Sequence, residues 1–155
     1  MENSVWIKQA GVEDVPYLAL LFNQYRMFYG QSSDLDGAAT FLEERITHKE
    51  STAFIAYSSP EDRRGLGFVQ LYPSFSSVSM QRLWILNDLF VTSEARKQRV
   101  GRQLMDMAYR FALESSAKGL TLSTAHDNKI AQRLYESLGY ERDEHYYTYE
   151  LYFKG

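Results

Sequence analysis

Arg96, Lys97, Arg99 and Arg102 crowd around one glycine, Gly101, where an apolar strand ending at Val91 gives way to an amphipathic helix. The first turn of a helix exposes backbone N–H groups with no acceptor inside the helix, so such a junction binds anions. Cations at that end oppose the helix macrodipole, so helix stability does not explain them. Gly101 lets the backbone approach a ligand closely. The chemistry implied is capture of a phosphate or pyrophosphate, and the alternative is a solvated basic helix start. No GxxxxGK[ST] segment occurs, and one glycine does not make GxGxxG. Neither a nucleotide P-loop nor a dinucleotide site is therefore expected.

A second set of residues is aromatic and polar. Tyr25, Arg26 and Tyr29 close the first helical segment, Tyr72 opens the connection YPSFSS, and Asn87 and Asp88 lie on the strand leading to the basic turn. Ring faces and hydroxyls bind ammonium groups by cation–π and hydrogen-bond contacts, although Tyr25 and Tyr29 at i,i+4 fit simple packing equally well. Arg26 could meet a carboxylate on a substrate or pair with Glu43 or Glu44. Strand alternation places Asp88 on the opposite face from Asn87. His48, His126 and His145 are scattered without metal-ligand spacing, and the chain has no cysteine. No metal site, disulfide or thiol nucleophile is expected.

The elements that must hold these residues follow from periodicity. Val5 to Gln9 reads as a strand, and Val15, Leu18, Ala19, Phe22 and Tyr25 recur at helical spacing up to Gly30. Ser33 or Asp34 can cap a second helix carrying Ala38, Leu42 and Ile46. Residues 52–57, 66–72 and 82–91 read as strands. A third helix runs over about 100–116 with Val100, Leu104, Met107, Ala108 and Phe111 inward, followed by a short strand at 120–124. Asp127 or Asn128 caps a fourth helix with Ile130, Leu134 and Leu138 inward and Gly139 at its end. The segment EHYYTYELYF alternates as a last strand. The order β-α-α-β-β-β-α-β-α-β implies a sheet that is antiparallel where strands follow one another directly and parallel across the third helix.

Bulk composition sets limits. A chain of 155 residues with 45% hydrophobic and 24% charged residues is expected to form one domain over 1–155 with an ordinary core. The net charge of −3 disfavours a general nucleic-acid or anionic-membrane partner. The N-terminal MENSVWIKQA lacks the basic and apolar regions of a signal peptide. No apolar run approaches the roughly 20 residues that span a bilayer. A soluble, cytoplasmic protein is the expectation.

The segment V91-TSEA-R96-KQR-V100-G101-RQLM resembles the acetyl-coenzyme A motif, R/Q-x-x-G-x-G/A, of the GCN5-related N-acetyltransferases (GNAT). About 30 residues on, N128-KIAQRLYESLGY140 is similar to that family's N-x-x-A-x-x-L-Y-x-x-x-G-F/Y segment. The resemblance implies a GNAT fold of class α/β, with a mixed sheet of six to seven strands and about four helices. It implies that backbone groups of Leu89, Phe90 and Val91 hold the acetyl-pantetheine arm and that Asn128 also contacts it. Arg96, Lys97, Gln98, Arg99, Val100, Gly101 and Arg102 would wrap the pyrophosphate, and Tyr135 would sit near the thioester sulfur. Arg99 stands where the family has its first motif glycine: if that position needs φ > 0, arginine is costly there, and if it is already helical, as the retained Gly101 favours, arginine fits and adds charge beside the phosphates. The resemblance implies an acceptor site lined by the first two helices and the connection between the third and fourth strands, which here carry Tyr25, Arg26, Tyr29 and Tyr72. Asn87 stands where relatives carry a glutamate base, which leaves Asp88 as the nearest carboxylate: it is the base, or it satisfies backbone donors or holds a loop, and a water chain to bulk solvent is a third route for the proton.

The function implied is transfer of an acetyl group from acetyl-CoA to a primary amine of a small molecule by direct attack in a ternary complex, without a metal. Deprotonating such an amine costs roughly 4–5 kcal/mol at pH 7. Tyr135 would donate a hydrogen bond to the departing thiolate. The alternatives are acetylation of protein lysines or N-termini, and a non-catalytic CoA-binding regulatory module. Family members often pair through their C-terminal strands, so a homodimer is expected.

Overall fold

The computed structural model describes residues 5–96 and 98–154. Two compact units divide the chain, Met1–Ser123 and Thr124–Gly155. In the first, a five-stranded sheet has the order β1-β2-β3-β4-β5, formed by β1 (Trp6–Gln9), β2 (Thr52–Tyr57), β3 (Gly65–Ser76), β4 (Gln81–Val91) and β5 (Gly119–Thr121). The first four strands are antiparallel and β4 and β5 are parallel, as the connection lengths imply.

Helices α1 (Val15–Phe28) and α2 (Leu35–Thr47) cover one face. Val15, Leu18, Ala19, Leu21 and Phe22 of α1 are buried, with Ala38 and Leu42 of α2, against Ala53, Ile55, Tyr57 and Phe68 of the sheet. Asp34 starts α2 by accepting the Gly37 N–H at 3.0 Å, which ties an otherwise unpaired donor of the first turn. Gly30, at φ +87°, ends the turn after α1. On the other face lies α3 (Val100–Glu114), which buries Val100, Leu104, Met105, Ala108 and Ala112. Phe111 of α3 meets Trp84 and Phe54 edge-on at 5.0 and 5.6 Å. Met107 and Phe111, expected at the centre of this contact, are only half-buried, and Met105 and Ala112 take that place.

A buried ionic cluster fixes the start of the chain. Asp14, wholly buried, pairs with Lys8, accepts the Gly11 N–H at 2.9 Å and the Tyr57 hydroxyl at 2.8 Å, and lies 3.5 Å from Arg63. Arg63 in turn stacks over Trp6 and Tyr57, 5.1 Å from each ring centre. Burial alone would raise the Asp14 carboxyl, but Lys8 and the two hydrogen-bond donors outweigh it and hold the pKa below the ordinary value.

The unit Thr124–Gly155 holds α4 (Lys129–Ser137). Asn128 caps it, its side-chain oxygen accepting the Ala131 N–H at 3.2 Å, and Gly139 follows its end at φ +97°. Ile130, expected inward, is 81% exposed. The expected last strand is absent. Residues 141–154 carry no regular structure and pair with no strand among the described residues, so the sheet has five strands and not six or seven. Alternation of side chains is compatible with a strand but does not supply the partner whose ladder makes one. No described helix is long and apolar enough to cross a membrane.

A carboxylate whose folded pKa is lowered stabilises the fold above its unfolded pKa and loses that contribution as pH falls through the folded value. Acid titration followed by circular dichroism should show stability declining below about pH 4, with a smaller decline in Asp14→Asn. That variant should lose roughly 3 kcal/mol at neutral pH in urea unfolding, because Lys8 and the Tyr57 hydroxyl lose their partner.

Candidate active site

The pairing of β4 is unequal on its two edges. Its partner β3 follows it from Ser76–Gln81 to Gly67–Val91. On the other edge β5 pairs only through Leu83–Gly119, Trp84–Leu120 and Ile85–Thr121, so residues 86–91 have no strand beside them there among the described residues. The Thr92 N–H donates to Leu66 O at 2.9 Å. Alternation of an antiparallel ladder then turns the backbone groups of Phe90 toward Phe68, and those of Leu89 and Val91 toward the open edge. The Val91 carbonyl accepts from Arg96 Nε at 3.2 Å, consistent with that direction. Two of the three residues predicted to hold an acyl-pantetheine arm thus offer their backbone, and the third does not. Phe90 contributes its ring to the opposite role, packing 6.0 Å from Tyr25 and 6.4 Å from Phe68.

The same strand carries a bulge. Gln70 pairs with Asp88 and Leu71 with Leu86, so Asn87 is an extra residue in β4. A bulge breaks the alternation of faces. Asp88 therefore does not lie on the face opposite Asn87: the Asn87 side-chain amide donates to its carboxylate at 3.1 Å. Through its register with Gln70, Asp88 joins Phe68, Gln70 and Tyr72 on the α1 side of the sheet.

Neutral groups surround this carboxylate. Asp88 is 6% exposed, Gln70 Nε2 donates to it at 2.9 Å and also lies 3.3 Å from the Tyr72 hydroxyl, and the Tyr25 hydroxyl lies within its electrostatic reach. No ion pair reaches it among the described residues. Burial first, and then Asp88, raise the Tyr25 hydroxyl far above its ordinary range and push Tyr72 up to about 12. Both tyrosines are therefore fixed as neutral donors and cannot act as bases near neutral pH. The Gln70 side-chain oxygen is buried with no donor. Gln70 escaped the sequence reading, yet one amide within the apolar run LGFVQLY was the available signal.

Tyr25 packs between Phe68 at 5.6 Å and Tyr29 at 5.1 Å, whereas Tyr29 is 64% exposed. Arg26 donates to the Ser32 carbonyl at 3.4 Å and pairs with neither Glu43 nor Glu44. It fastens the turn between α1 and α2.

The basic turn begins with a short 3-10 segment, Ser93–Ala95. Gln98 donates to the Glu94 carbonyl at 3.2 Å, and Lys97 lies outside the described residues. The first bond of α3 runs from Gln103 N–H to Arg99 O at 3.0 Å, so the N–H groups of Val100, Gly101 and Arg102 have no acceptor within the helix. Arg99 caps the helix without a side-chain bond, since a guanidinium cannot accept one. A Cβ on Gly101 would stand 3.7 Å from Val91 Cγ2, an ordinary contact, so the fold does not require glycine there. Free donors, a bare backbone and the cations Arg96, Arg99 and Arg102 fit the pyrophosphate of a CoA thioester. Arg99 itself is left-handed, with φ +62° and ψ +20°. The expectation of a helical arginine is overturned: the position requires positive φ, and an L side chain there costs about 1–2 kcal/mol.

In the second unit, Tyr135 lies on α4 with its ring 6.0 Å from Tyr140. Burial, and then Tyr135, push the Tyr140 hydroxyl up to about 12. Asn128, which the motif places at the pantetheine arm, caps α4 through its side-chain oxygen. No group of acidic, histidine or cysteine side chains that could hold a metal occurs among the described residues.

The family model of the acetyltransferase (GNAT) family matches residues 18–140. An uncharacterized N-acetyltransferase of Bacillus subtilis (strain 168), YhfO, is 49% identical over 94% of this chain and 95% of its own length. The D-amino-acid N-acetyltransferase HPA3 of Saccharomyces cerevisiae is 33% identical over 68% of this chain and 63% of its own. The crystal structure of a probable acetyltransferase, 44% identical, superposes with a TM-score of 0.91 over 97% of this chain and 99% of that one.

Replacing Arg99 by glycine removes the strain and one cation together. Arg99→Gly should raise stability by about 0.5–1 kcal/mol in denaturant unfolding, part of the relief being offset by the freer unfolded chain. The variant should also bind acetyl-CoA several-fold more weakly, with a shallower salt dependence, in calorimetric titration. Lower stability in the variant would contradict the left-handed assignment.

Proposed function

Because this chain belongs to the acetyltransferase (GNAT) family, we propose that it transfers an acetyl group from acetyl-CoA to a primary amine of a small molecule. The observation that carries this reading is the juxtaposition on β4. Asp88, a buried carboxylate with only neutral partners, immediately precedes Leu89 and Val91, whose backbone faces the open edge. One strand therefore offers an amine site on the α1 face and an arm site along its edge. The name of the yeast relative supports a small-molecule acceptor.

Acetyl-CoA supplies the activated acyl group, and the protein's residues do the rest. Arg96, Arg99, Arg102 and the α3 N–H groups hold the pyrophosphate. Leu89 and Val91 align the pantetheine arm by backbone hydrogen bonds. The amine arrives as an ammonium, pairs with Asp88 and gives its proton there or to water hydrogen-bonded there. Tyr25 and Tyr72, neutral at every physiological pH, orient the carboxylate and line the acceptor site. Tyr135 donates a hydrogen bond to the departing thiolate, as the family motif implies. Attack by the amine is direct, since the chain has no cysteine to carry the acyl group. The protein acts in the cytoplasm, as a single acetyltransferase domain and as a homodimer.

Asp88 also weighs against a non-catalytic CoA-binding module. Asn87 occupies the place of the family's glutamate, but the bulge brings a carboxylate to the same face.

The absence of cysteine lets a thiol reagent report only the CoA released. With an amine panel, Asp88→Asn should lower kcat/KM by about 10²–10⁴ and leave acetyl-CoA binding intact. Tyr135→Phe should lower kcat more than it raises the KM for acetyl-CoA. Wild-type turnover by Asp88→Asn would remove the carboxylate from the mechanism.

A further inference from the structure

Beside the amine site lies a shallow depression, open to solvent and of about 500 Å³, lined by Arg45, Lys49, Glu50, Tyr72 and Pro73. Tyr72 belongs to both places. Its hydroxyl lies within hydrogen-bond distance of Gln70 Nε2, which also donates to Asp88. The Asp88 carboxylate raises its pKa and the Arg45 guanidinium lowers it, so this one ring lies within electrostatic reach of a buried anion and of a cation.

The cationic side of the depression is held in position. Arg45 stacks over Phe41, 4.8 Å from the ring centre, and its Nε donates to Glu50 at 2.8 Å. Glu44 stands 4.0 Å from Arg45 Nη2, too far for a hydrogen bond, so the Nη groups remain available. The Lys49 ammonium makes no ion pair among the described residues. Lys49 also holds a left-handed backbone, φ +56°, just past the end of α2. Arg45 thus has Glu50 bonded at its Nε and Glu44 at the limit of an ion pair, while Lys49 adds a cation to the same lining without a carboxylate partner of its own among the described residues. Arg26, the other arginine near the acceptor face, is engaged with the Ser32 carbonyl.

We propose that this depression is a carboxylate subsite, so that the acceptor is an amine that also bears a carboxylate, such as an amino acid, and not a plain alkylamine or a polyamine. The inference rests on the acetyltransferase reading and on Asp88 as the amine site. An ammonium at Asp88 and a carboxylate at Arg45 and Lys49 give the acceptor two anchors of opposite sign. The guanidinium can meet the carboxylate with two parallel N–H bonds. A polyamine would bring a second positive charge against Arg45 and Lys49 and be repelled.

The test uses matched acceptors: amino acids with the amine at the α position through to the end of longer chains, each beside its carboxamide, together with spermidine. CoA release is measured with acetyl-CoA as donor, for wild type, Arg45→Gln and Lys49→Gly. The lysine variant removes a charge and eases a left-handed residue, so it should fold at least as well as wild type. For the preferred chain length, wild type should favour the acid over its amide at least tenfold in kcat/KM, and spermidine should be a poor acceptor. The acid-to-amide ratio should fall at least tenfold in Arg45→Gln and several-fold in Lys49→Gly. A ratio near one in wild type, a ratio unchanged in both variants, or a preference for spermidine would overturn the subsite while leaving the acetyltransferase reading in place. No CoA release from any acceptor would overturn that reading as well.

Discussion

Strand β4 must satisfy β3 along its whole length but meets β5 for only three residue pairs, and the site depends on that inequality. A fully paired strand has no backbone donors or acceptors to offer a ligand. A strand open on one edge offers them in a fixed line at every second residue. Because the chain leaves the end of this strand for the 3-10 turn and α3, the open edge leads to a helix start whose N–H groups are also unpaired. One geometric feature thus continues from hydrogen-bonding edge to anion site. The bulge at Asn87 then turns Asp88 toward α1 without interrupting the edge at Leu89 and Val91.

Two buried carboxylates in the first unit show opposite uses of the same costly group. Asp14 is met by Lys8, Arg63, a backbone N–H and a tyrosine hydroxyl. Its charge is compensated inside the fold, which fits a structural role in joining β1, β2 and the entry to α1. Among the described residues Asp88 is hydrogen-bonded by the neutral side chains of Gln70 and Asn87 and lies within electrostatic reach of Tyr25. Neutral donors lower the penalty of burying a charge without cancelling it, so a cationic ligand has much to gain there. That contrast is the physical reason for assigning the ammonium to Asp88, and it needs no knowledge of which amine is used.

Much of this was legible in the sequence because it is local. The helical periods of α1, α2 and α3, the cap at Asp34, the turn at Gly139 and the basic helix start all depend on neighbours within a few residues. What escaped depends on partners far along the chain. Asn87 becomes a bulge only because β3 pairs with β4 in a particular register, and strand alternation alone set Asp88 on the wrong face. The handedness of Arg99 follows from how the turn after Ala95 must enter α3, which its residue type opposes. The Tyr-rich end has the pattern of a strand but no ladder, and Ile130 keeps its helical spacing while facing solvent. Gln70 lies in a segment that reads as apolar core, and only the fold brings it and Arg45 within reach of Tyr72.

Residue-resolved hydrogen exchange with and without acetyl-CoA tests the central claim most directly. The Phe90 amide, engaged with β3, should be protected in both states. The Leu89 and Val91 amides should exchange readily in the free protein and become protected when acetyl-CoA saturates it. Unchanged exchange at Leu89 and Val91 on binding, with new protection appearing at Phe90 instead, would contradict the assignment of the open edge of β4 as the place where the acyl donor lies.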